Sequence, residues 1–447
     1  MDLIAFMTHL SEQIWSMPFL VVFLAIGVVV TVVLRFVQFT HFVQAFRMVF
    51  LTKHQEQEAS QGQEGQLTPL QAFINTLGAN IGNGSIAGVP FAIAVGGPGA
   101  IFWMLLMSTF AISLRYAEAY LGMHFIGKAR FNGATGGPMV YLSMLPAGSI
   151  LAYTFAGVFF VYSIICGNLM QCNAVGVALQ RTWGISPYVT AFFVLAFILY
   201  ILIGGSERIV SFLNKLVPFK VAAFFVSALI VLIYHAASVP GAFVLIFKGA
   251  FMPWAIMGGA AGFTFQQMVT VGFQRGVFVN EAGLGSAALA YGNTSAKHAV
   301  KDSIMSMLGV YINTHVVCLM VALCVIASGV WNNGETSSAL MIASYETVFG
   351  QYGGWIISFL AINFGVSVLV SYAYLSKVCW DFFMRNRLGF VFVILYAAWA
   401  FLGTYMPVAV AFASSDVICA AMFVINVFGL LWFLSLIRHE LIVYENK

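Results

Sequence analysis

Long apolar runs fill this chain from end to end, and charged side chains are scarce throughout. Hydrophobic residues make up 61% of the 447 positions, whereas Asp, Glu, Lys and Arg together make up 8%, against about 25% in ordinary soluble domains. A soluble fold of this length could not cover its surface with so few charges. The pattern excludes a soluble enzyme, a nucleic-acid-binding protein and a disordered chain. It predicts an all-α integral membrane protein embedded in a lipid bilayer.

The apolar runs define the candidate transmembrane helices. A helix needs about 20 apolar residues to cross a bilayer, and about eleven runs approach or exceed that length. We treat 1–447 as a single transmembrane domain, and the polar segment Lys53–Gln66 as a solvated connection. The predicted spans are 16–35, 69–95, 98–126, 148–180, 187–204, 211–236, 252–280, 302–329, 353–377, 388–405 and 408–436.

The basic residues predict the orientation of these spans. With the N-terminus outside, sixteen of the 19 lysines and arginines fall in internal loops, in the C-terminal tail or at internal span ends. Only Arg181 and Lys248 fall outside, and Arg115 lies within a span. Such an excess of positive charge is typical of cytoplasmic loops. We therefore expect the N-terminus outside and the C-terminus inside.

Two of the predicted spans are interrupted by glycines and polar side chains. The second contains NTLGANIGNGSIAGVP, with a break expected at Gly82–Ser85, and the seventh contains MGGAAGFTFQQMVTVGF, with a break expected at Gly259–Thr264. Close helix packing is one explanation for such glycines. However, the two segments lie five spans apart and enter the membrane in opposite directions, as an inverted five-plus-five repeat requires. Paired interruptions of this kind point to the central site of a transporter.

This arrangement assigns a first five-helix repeat to 69–236 and a second to 252–436, which leaves the span 16–35 outside the two repeats. A break at mid-membrane exposes N–H groups at the start of the next half-helix, and these attract a carboxylate. The preceding half-helix ends in free carbonyl groups, which suit a cation such as Na⁺. The sequence therefore predicts an amino acid site next to a cation site.

Six motifs give the chain a family resemblance that runs from about residue 15 to the C-terminus. It resembles the alanine or glycine:cation symporters, also called sodium:alanine symporters. The motifs are IAGVPFAIAVGGPGAIFWM from Ile86, RYAEAYLG from Arg115, GGPMVYL from Gly136, GNLMQCNAV from Gly167, KLVPF from Lys215 and RGVFVNEAGLGSA from Arg275.

The resemblance implies a leucine-transporter-type core of ten helices with one extra N-terminal helix. It implies cation symport of small neutral amino acids such as alanine or glycine by alternating access, with Na⁺ as the coupling ion and H⁺ as the alternative. No enzymatic activity, cofactor or resident metal is implied. We expect a multi-pass protein of the plasma or inner membrane of a bacterium or archaeon, and its oligomeric state is left open.

The resemblance also implies roles for individual residues. One ion would take the carbonyl groups of Gly78 and Ile81 and the hydroxyl group of Ser367, and a second would lie near Ser85, Thr264 and Asn313. The implied substrate-binding residues are Gly82, Asn83, Gly84, Ser85, Gln171, Phe263, Thr264, Gln267 and Ser367.

Departures from the family pattern keep an alternative function open. The family usually reads closer to GTGN at Gly82–Ser85, often has Asp where Asn313 stands, and usually has Thr where Ser367 stands. The alternative is a proton-coupled or exchange carrier of another small amino acid or carboxylate. In it, His315 would be a candidate proton carrier, since histidine titrates near neutrality; otherwise His315 is a hydrogen-bonded core residue.

The remaining polar residues and cysteines have structural explanations, and the sequence favours a carrier over other classes of membrane protein. Arg115 and Glu118 are expected to form a structural pair or a gate, and Arg275 and Glu281 a gate or helix-end charges. The six cysteines lie in apolar runs and are expected to be packing thiols. An intramembrane enzyme is disfavoured because the chain has no HExxH and no GxSxG motif. A compact polar midpoint favours a carrier over a channel.

Overall fold

The computed structural model describes residues 3–50, 67–251, 264–405 and 409–446, and these residues are almost entirely helical. Their β structure is limited to two isolated bridges, Leu67 with Thr294 and Phe131 with Ala134. The predicted solvated connection Lys53–Gln66 lies outside the described residues. The all-α prediction is confirmed for the part of the chain that is described.

The first half of the chain forms thirteen α-helices in its described ranges. They are α1 Leu3–Ile14, α2 Met17–Val33, α3 Val37–Thr40, α4 Phe42–Phe50, α5 Pro69–Asn80, α6 Asn83–Gly96, α7 Gly99–His124, α8 Pro138–Ser143, α9 Gly148–Tyr162, α10 Met170–Trp183, α11 Pro187–Ile203, α12 Gly205–Tyr234 and α13 Val239–Phe251. A π-helical segment, Ser163–Leu169, joins α9 to α10, and the 3₁₀ turn Ala236–Ser238 precedes α13.

The second half forms nine further α-helices within its described ranges. They are α14 Phe265–Asn280, α15 Ser286–Tyr291, α16 Ala299–Val310, α17 Leu319–Ala327, α18 Ser337–Phe349, α19 Tyr352–Met384, α20 Gly389–Gly403, α21 Ala409–Trp432 and α22 Leu434–Glu445. A second π-helical segment, Tyr311–Cys318, joins α16 to α17, and the 3₁₀ turn Val330–Asn332 follows α17.

Ten of the apolar helices of the described chain overlap predicted spans, whereas Ala236–Phe251 falls almost entirely between the predicted spans 211–236 and 252–280. Six helices of the described chain are long and apolar enough to cross a membrane, and five apolar helices are shorter. The six are Gly99–His124, Gly148–Trp183, Gly205–Tyr234, Ala299–Ala327, Tyr352–Met384 and Ser414–Trp432. The total number of spans and the orientation stay predictions.

Several helices occupy segments that the sequence analysis left as connections. The clearest cases are α1, α13 and α18, each 12 or 13 residues long. A helix of 13 residues is about 20 Å long, short of the roughly 30 Å hydrocarbon core. A search for 20-residue apolar runs therefore misses these helices. The helix α18 packs against both α19 and α6 and so bears on the centre of the molecule.

The centre of the molecule is built on α19, which is 33 residues long. It packs against α5, α10, α12 and α18, while α14 packs against α6 and α7. The second π-helical segment also contacts α6 and α14. The two interrupted regions are therefore neighbours inside the bundle. All six cysteines are buried and free, as expected of packing thiols.

Candidate functional site

The first predicted break is a true interruption of the helix. The α5 helix ends at Asn80, and α6 begins at Asn83 with Gly82 as its N-cap. The first N–H groups of a helix have no partner within that helix, and glycine has no side chain to cap them. They form a positive helix end, which favours an anion.

Glycine at position 82 also allows a close approach of α19. A Cβ atom added to Gly82 would lie 2.5 Å from Cγ2 of Val368. A Cβ atom added to Gly365, on the same face of α19, would lie 2.9 Å from the amide nitrogen of Asn83. The break and α19 are therefore packed so closely that a side chain at either position would force its neighbours to shift.

A small cavity adjoins this break. Asn83, Gly84 and Gln171 line a space of about 250 Å³ between α6, α10, α18 and α19. The amide group of Asn83 donates to Oε1 of Gln171 at 3.2 Å, and Nε2 of Gln171 donates to the carbonyl oxygen of Cys166 at 3.0 Å. Cys166 lies in the first π-helical segment, a feature often found at functional sites. Three predicted substrate residues thus share one cavity.

The described lining of this cavity is nearly neutral. Arg181 is its one charged side chain among the described residues, and Arg181 lies ten positions after Gln171 on α10. Ten helical residues span about 15 Å, so Arg181 lies far along α10 from Gln171, the residue that contacts Asn83 at the break. The inner part of the cavity therefore offers amide and main-chain groups rather than full charges.

The oxygens predicted to hold an ion converge on the side chain of Lys220. The ammonium Nζ donates to the carbonyl oxygen of Gly78 at 3.2 Å, to that of Ile81 at 2.5 Å, and to the hydroxyl oxygen of Ser367. Lys220 is fully buried on α12. Gly78, Ile81 and Ser367 thus come together as expected, around an ammonium group that the sequence analysis did not place there.

Asn313 joins the break in the first interrupted helix to the C-terminal end of α14. Its amide nitrogen donates to the carbonyl oxygens of Asn80 at 3.1 Å and Val279 at 2.7 Å. Its amide oxygen accepts from the hydroxyl group of Ser85 at 3.1 Å. Asn313 is fully buried in the second π-helical segment. Asn313 and Ser85 are therefore neighbours, as the prediction of a second ion requires.

Thr264 lies far from this pair. It is the N-cap of α14, whereas Val279 is near the other end of that 16-residue helix, so roughly 22 Å of helix separates them. The hydroxyl group of Thr264 accepts from the N–H group of Gln267 at 3.1 Å, which makes this threonine a helix cap. The structure does not bring Thr264 together with Ser85 and Asn313. Phe263 and most of the predicted break at Gly259–Thr264 lie outside the described residues.

The match to known proteins covers the whole chain. The family model described as the sodium:alanine symporter family matches residues 1–447. This chain belongs to the sodium:alanine symporter family. It is therefore a multi-pass membrane transporter of the amino acid:cation symporter kind, and not an enzyme. The family resemblance drawn from the motifs is confirmed.

Relatives of this symporter carry related names. The sodium/alanine symporter AgcS of Methanococcus maripaludis is 30% identical over 441 residues, covering 96% of this chain and 95% of that protein. The putative sodium/proton-dependent alanine carrier protein YrbD of Bacillus subtilis is 27% identical over 446 residues, covering 95% and 89%. Among solved structures, MhsT in complex with L-phenylalanine matches with a TM-score of 0.56 and 14% identity, covering 83% of this chain and 90% of that one. This likeness shows that the symporter has the leucine-transporter-type fold.

A second, larger cavity of the symporter lies at the start of α14. It measures about 820 Å³ and is lined by Thr264, Gln267 and Gly88 among others. A buried ion pair borders it, in which Nη2 of Arg275 contacts both carboxylate oxygens of Asp416 at 2.7 Å. Thr264 and Gln267 thus line a cavity that adjoins the one lined by Gln171, since Ala87 and Ser337 border both.

Glu281 of the symporter does not pair with Arg275. Its carboxylate accepts from the hydroxyl groups of Tyr162, at 3.2 Å, and Tyr372. Arg275 instead ties α14 to α21 through Asp416. Arg275 and Glu281, predicted as a gate or as helix-end charges, therefore link α14 and the turn after it to different parts of the bundle.

Arg115 and Glu118 both support the turn that follows α14. Nη2 of Arg115 donates to the carbonyl oxygen of Asn280 at 2.5 Å. Oε1 of Glu118 accepts from the N–H group of Gly285 at 2.9 Å and from the amide of Asn426 at 3.0 Å. Both charged groups are buried and contact the same loop. The contacts fit the structural interpretation of these residues better than a gate.

His315 contacts a neighbouring helix in the symporter. Its Nε2 atom lies 3.0 Å from the hydroxyl oxygen of Thr109 on α7. It shares none of the partners that Asn313 contacts two residues earlier. This environment is that of a hydrogen-bonded packing residue.

Two residues of this centre were missed by sequence reasoning, namely Lys220 and Asp416. Both lie inside apolar runs, where an ionisable residue is by default a candidate for function. Lys220 was counted only as a positive charge near an internal span end, because the sequence LVPFKVAA gives no partner for it. The position of each ionisable residue inside an apolar run is the one sequence signal that marks both as candidates.

Proposed function

We propose that this protein carries a small neutral amino acid, such as alanine or glycine, across the membrane by alternating access. The observation that carries the proposal is the break at Ile81–Gly82, whose uncapped helix end adjoins the cavity of Asn83 and Gln171. Such helix ends bind carboxylates in transporters that have discontinuous helices. The carboxylate would meet the main-chain N–H groups at Gly82–Ser85.

The size and charge of the cavity support a small neutral substrate. Its volume of about 250 Å³ falls below the roughly 300–1,000 Å³ of pockets that hold drug-sized ligands. No acidic side chain is among its described lining residues, so a cationic side chain of a substrate would find no partner there. The amino group would meet neutral oxygens such as Oε1 of Gln171. Phe263, Thr264, Gln267 and Ser367 remain proposed contributors to the site.

Alternating access would use the two halves of the chain. We propose that the repeats at 69–236 and 252–436 rock against each other, with the extra helix at 16–35 outside this motion. The charge distribution supports an external N-terminus and an internal C-terminus. Because Asn313 ties Asn80 of the first repeat to Val279 of the second, the two repeats would stay in contact at this point while they rock.

The coupling cation has two candidates. Na⁺ is favoured by the name of the family and of AgcS, with Gly78, Ile81 and Ser367 as proposed ligands and a second site near Ser85 and Asn313. A proton-coupled or exchange mechanism is favoured by one contact: the oxygens proposed for Na⁺ already accept hydrogen bonds from Lys220.

Uptake by proteoliposomes tests this function. Purified protein would be reconstituted and supplied with radiolabelled alanine, glycine or serine under an inward Na⁺ gradient, a pH gradient alone, or neither. The proposal expects saturable uptake of at least one of these amino acids. Uptake of none of them under any gradient, by protein that is folded and correctly inserted, would refute it.

A further inference from the structure

Lys220 is an ammonium group enclosed by oxygen atoms inside the bundle. It is fully buried, and its three N–H donors face three acceptors on two other parts of the chain, Gly78 and Ile81 at the end of α5 and Ser367 on α19. Among the described residues no carboxylate forms an ion pair with it. A buried lysine without a carboxylate is costly unless its donors are satisfied, and here the acceptors match the donors in number.

The enclosing oxygens are arranged to stabilise positive charge. Gly78 and Ile81 lie at the carbonyl end of α5, which is the negative end of the helix dipole. The hydroxyl group of Ser367 donates to the carbonyl oxygen of Phe364 at 2.9 Å, which leaves its lone pairs free to accept from Lys220. The ring of Phe364 adds a face 5.1 Å from Nζ, within the range of a cation–π contact.

The neighbouring helices are shaped to admit this side chain. A Cβ atom added to Gly78 would lie 3.1 Å from Val217 and 2.6 Å from the hydroxyl oxygen of Ser371. The absence of a side chain at position 78 therefore lets α12 approach α5 closely enough for Lys220 to reach two of its carbonyl groups. The contact therefore depends on the close packing of α5, α12 and α19.

We propose that the ammonium group of Lys220 is a built-in cation that replaces a bound sodium ion at this position. Two carbonyl oxygens and a hydroxyl oxygen are ligands that a monovalent cation would use, and Nζ already occupies the space between them. The inference rests on the proposed function, in that the site belongs to the carrier. It adds that no Na⁺ binds between Gly78, Ile81 and Ser367 in the native protein.

The test compares sodium binding by the purified protein and its variants in detergent. Binding of ²²Na⁺ and the apparent melting temperature would be measured in NaCl and in choline chloride for the native protein, Lys220→Ala, Lys220→Met and Ser367→Ala. Lys215→Ala is the matched control, because Lys215 is an exposed lysine on the same helix. Folding of each variant is checked by size-exclusion chromatography.

The native protein and Lys215→Ala are each expected to melt at the same temperature in NaCl and in choline chloride. If NaCl does raise the melting temperature of the native protein, through sodium bound elsewhere, Ser367→Ala is expected to show the same increase. Lys220→Ala is expected to lose stability in choline chloride and to recover part of it in NaCl, because the emptied oxygens can then bind Na⁺. Lys220→Met fills the space without a charge and is expected to lose stability in both salts.

A sodium effect on the native protein that disappears in Ser367→Ala would overturn the inference, since Na⁺ would then bind at these oxygens. This comparison decides the question even if Lys220→Ala does not fold. Binding of alanine, glycine and serine is measured separately on the same preparations. If none of these three amino acids binds, the result counts against the proposed function. The sodium measurement still decides whether Na⁺ binds at these oxygens.

Discussion

Single polar contacts define the cavity at the residue scale. Asn83 and Gln171 come from helices that are far apart in sequence, and one hydrogen bond of 3.2 Å holds their amide groups together. A net hydrogen bond contributes about 0.5–1.5 kcal/mol, and a buried amide left without its partner costs about 1–3 kcal/mol. The position of each amide group thus depends on the other amide group.

Gln171→Ala should weaken substrate binding more than it weakens folding. The change removes Oε1, the acceptor for Asn83, and leaves the Asn83 amide free to turn away from the break. We expect KM for the transported amino acid to rise about tenfold, which corresponds to about 1.4 kcal/mol. Initial rates of uptake would be compared with those of Gln180→Ala, an exposed position on the same helix. Equal KM values for the two variants would remove Gln171 from the site.

Asn313→Asp should make the stability of the protein depend on a cation. The substitution replaces an N–H donor with a carboxylate oxygen facing the carbonyl oxygens of Asn80 and Val279, now 3.1 and 2.7 Å from the amide nitrogen. The carboxylate oxygen and the two carbonyl oxygens repel one another unless a proton or a cation lies between them. The apparent melting temperature of Asn313→Asp is therefore expected to be lower in choline chloride than in NaCl. A variant that melts at the same temperature in both salts would argue against a potential ion site here.

The break in the first interrupted helix is the decisive feature at the element scale. Its glycines are not equivalent, because they face different neighbours. A Cβ atom at Gly82 would lie 2.5 Å from Val368, whereas one at Gly88 would meet only Cδ of Arg275 at 3.7 Å. Valine in a helix has one strongly preferred rotamer, so Val368 cannot turn aside cheaply.

Gly82→Ala should therefore impair transport, and Gly88→Ala should be tolerated. Overpacking of this kind costs about 1–3 kcal/mol and shifts the backbone at the point where the carboxylate is proposed to bind. We expect Gly82→Ala to reduce the initial rate of uptake about tenfold or more and Gly88→Ala to leave it near the native rate. The reverse order of activities would mean that the break does not set the site.

The helix interruptions show what the sequence can and cannot predict. The break at Gly82 could be predicted because glycines, asparagines and serine lie together in one short segment. Lys220 could not be placed, because two of its three acceptors are main-chain carbonyl groups 142 and 139 residues away, and no spacing in the sequence fixes the register of α12 against α5. Thr264 was expected at the centre, yet it caps α14 beside the larger cavity, because a Thr-x-x-Gln segment also serves as a helix start.

The whole molecule is a bundle whose direction in the membrane is a prediction from charge. Its native cysteines are all buried, so they give a low background for labelling at introduced thiols. The six long apolar helices of the described chain followed from the sequence, since 20-residue apolar runs are a strong signal. The short helices α13 and α18 did not, because their lengths fall below that threshold.

Labelling of single introduced cysteines tests the orientation. Gln13→Cys should react with a membrane-impermeant maleimide in intact cells, and Asn446→Cys should react only after the membrane is permeabilised. Both positions are exposed at opposite ends of the chain. The opposite pattern of labelling would reverse the predicted topology, and labelling of both in intact cells would mean that the number of spans is not odd.

Recognition of a carboxylate at the first helix break is the central claim of this account, and a competition experiment tests it most directly. Radiolabelled alanine would be bound to the purified protein and displaced by unlabelled alanine or by alaninamide, which has the same amino group and side chain but no carboxylate. We expect alanine to displace the label and alaninamide to fail, with binding greatly weakened in Gly82→Ala and retained in Gly88→Ala. Equal displacement by alaninamide would contradict the claim, because the helix end at Gly82–Ser85 would then have no anion to bind.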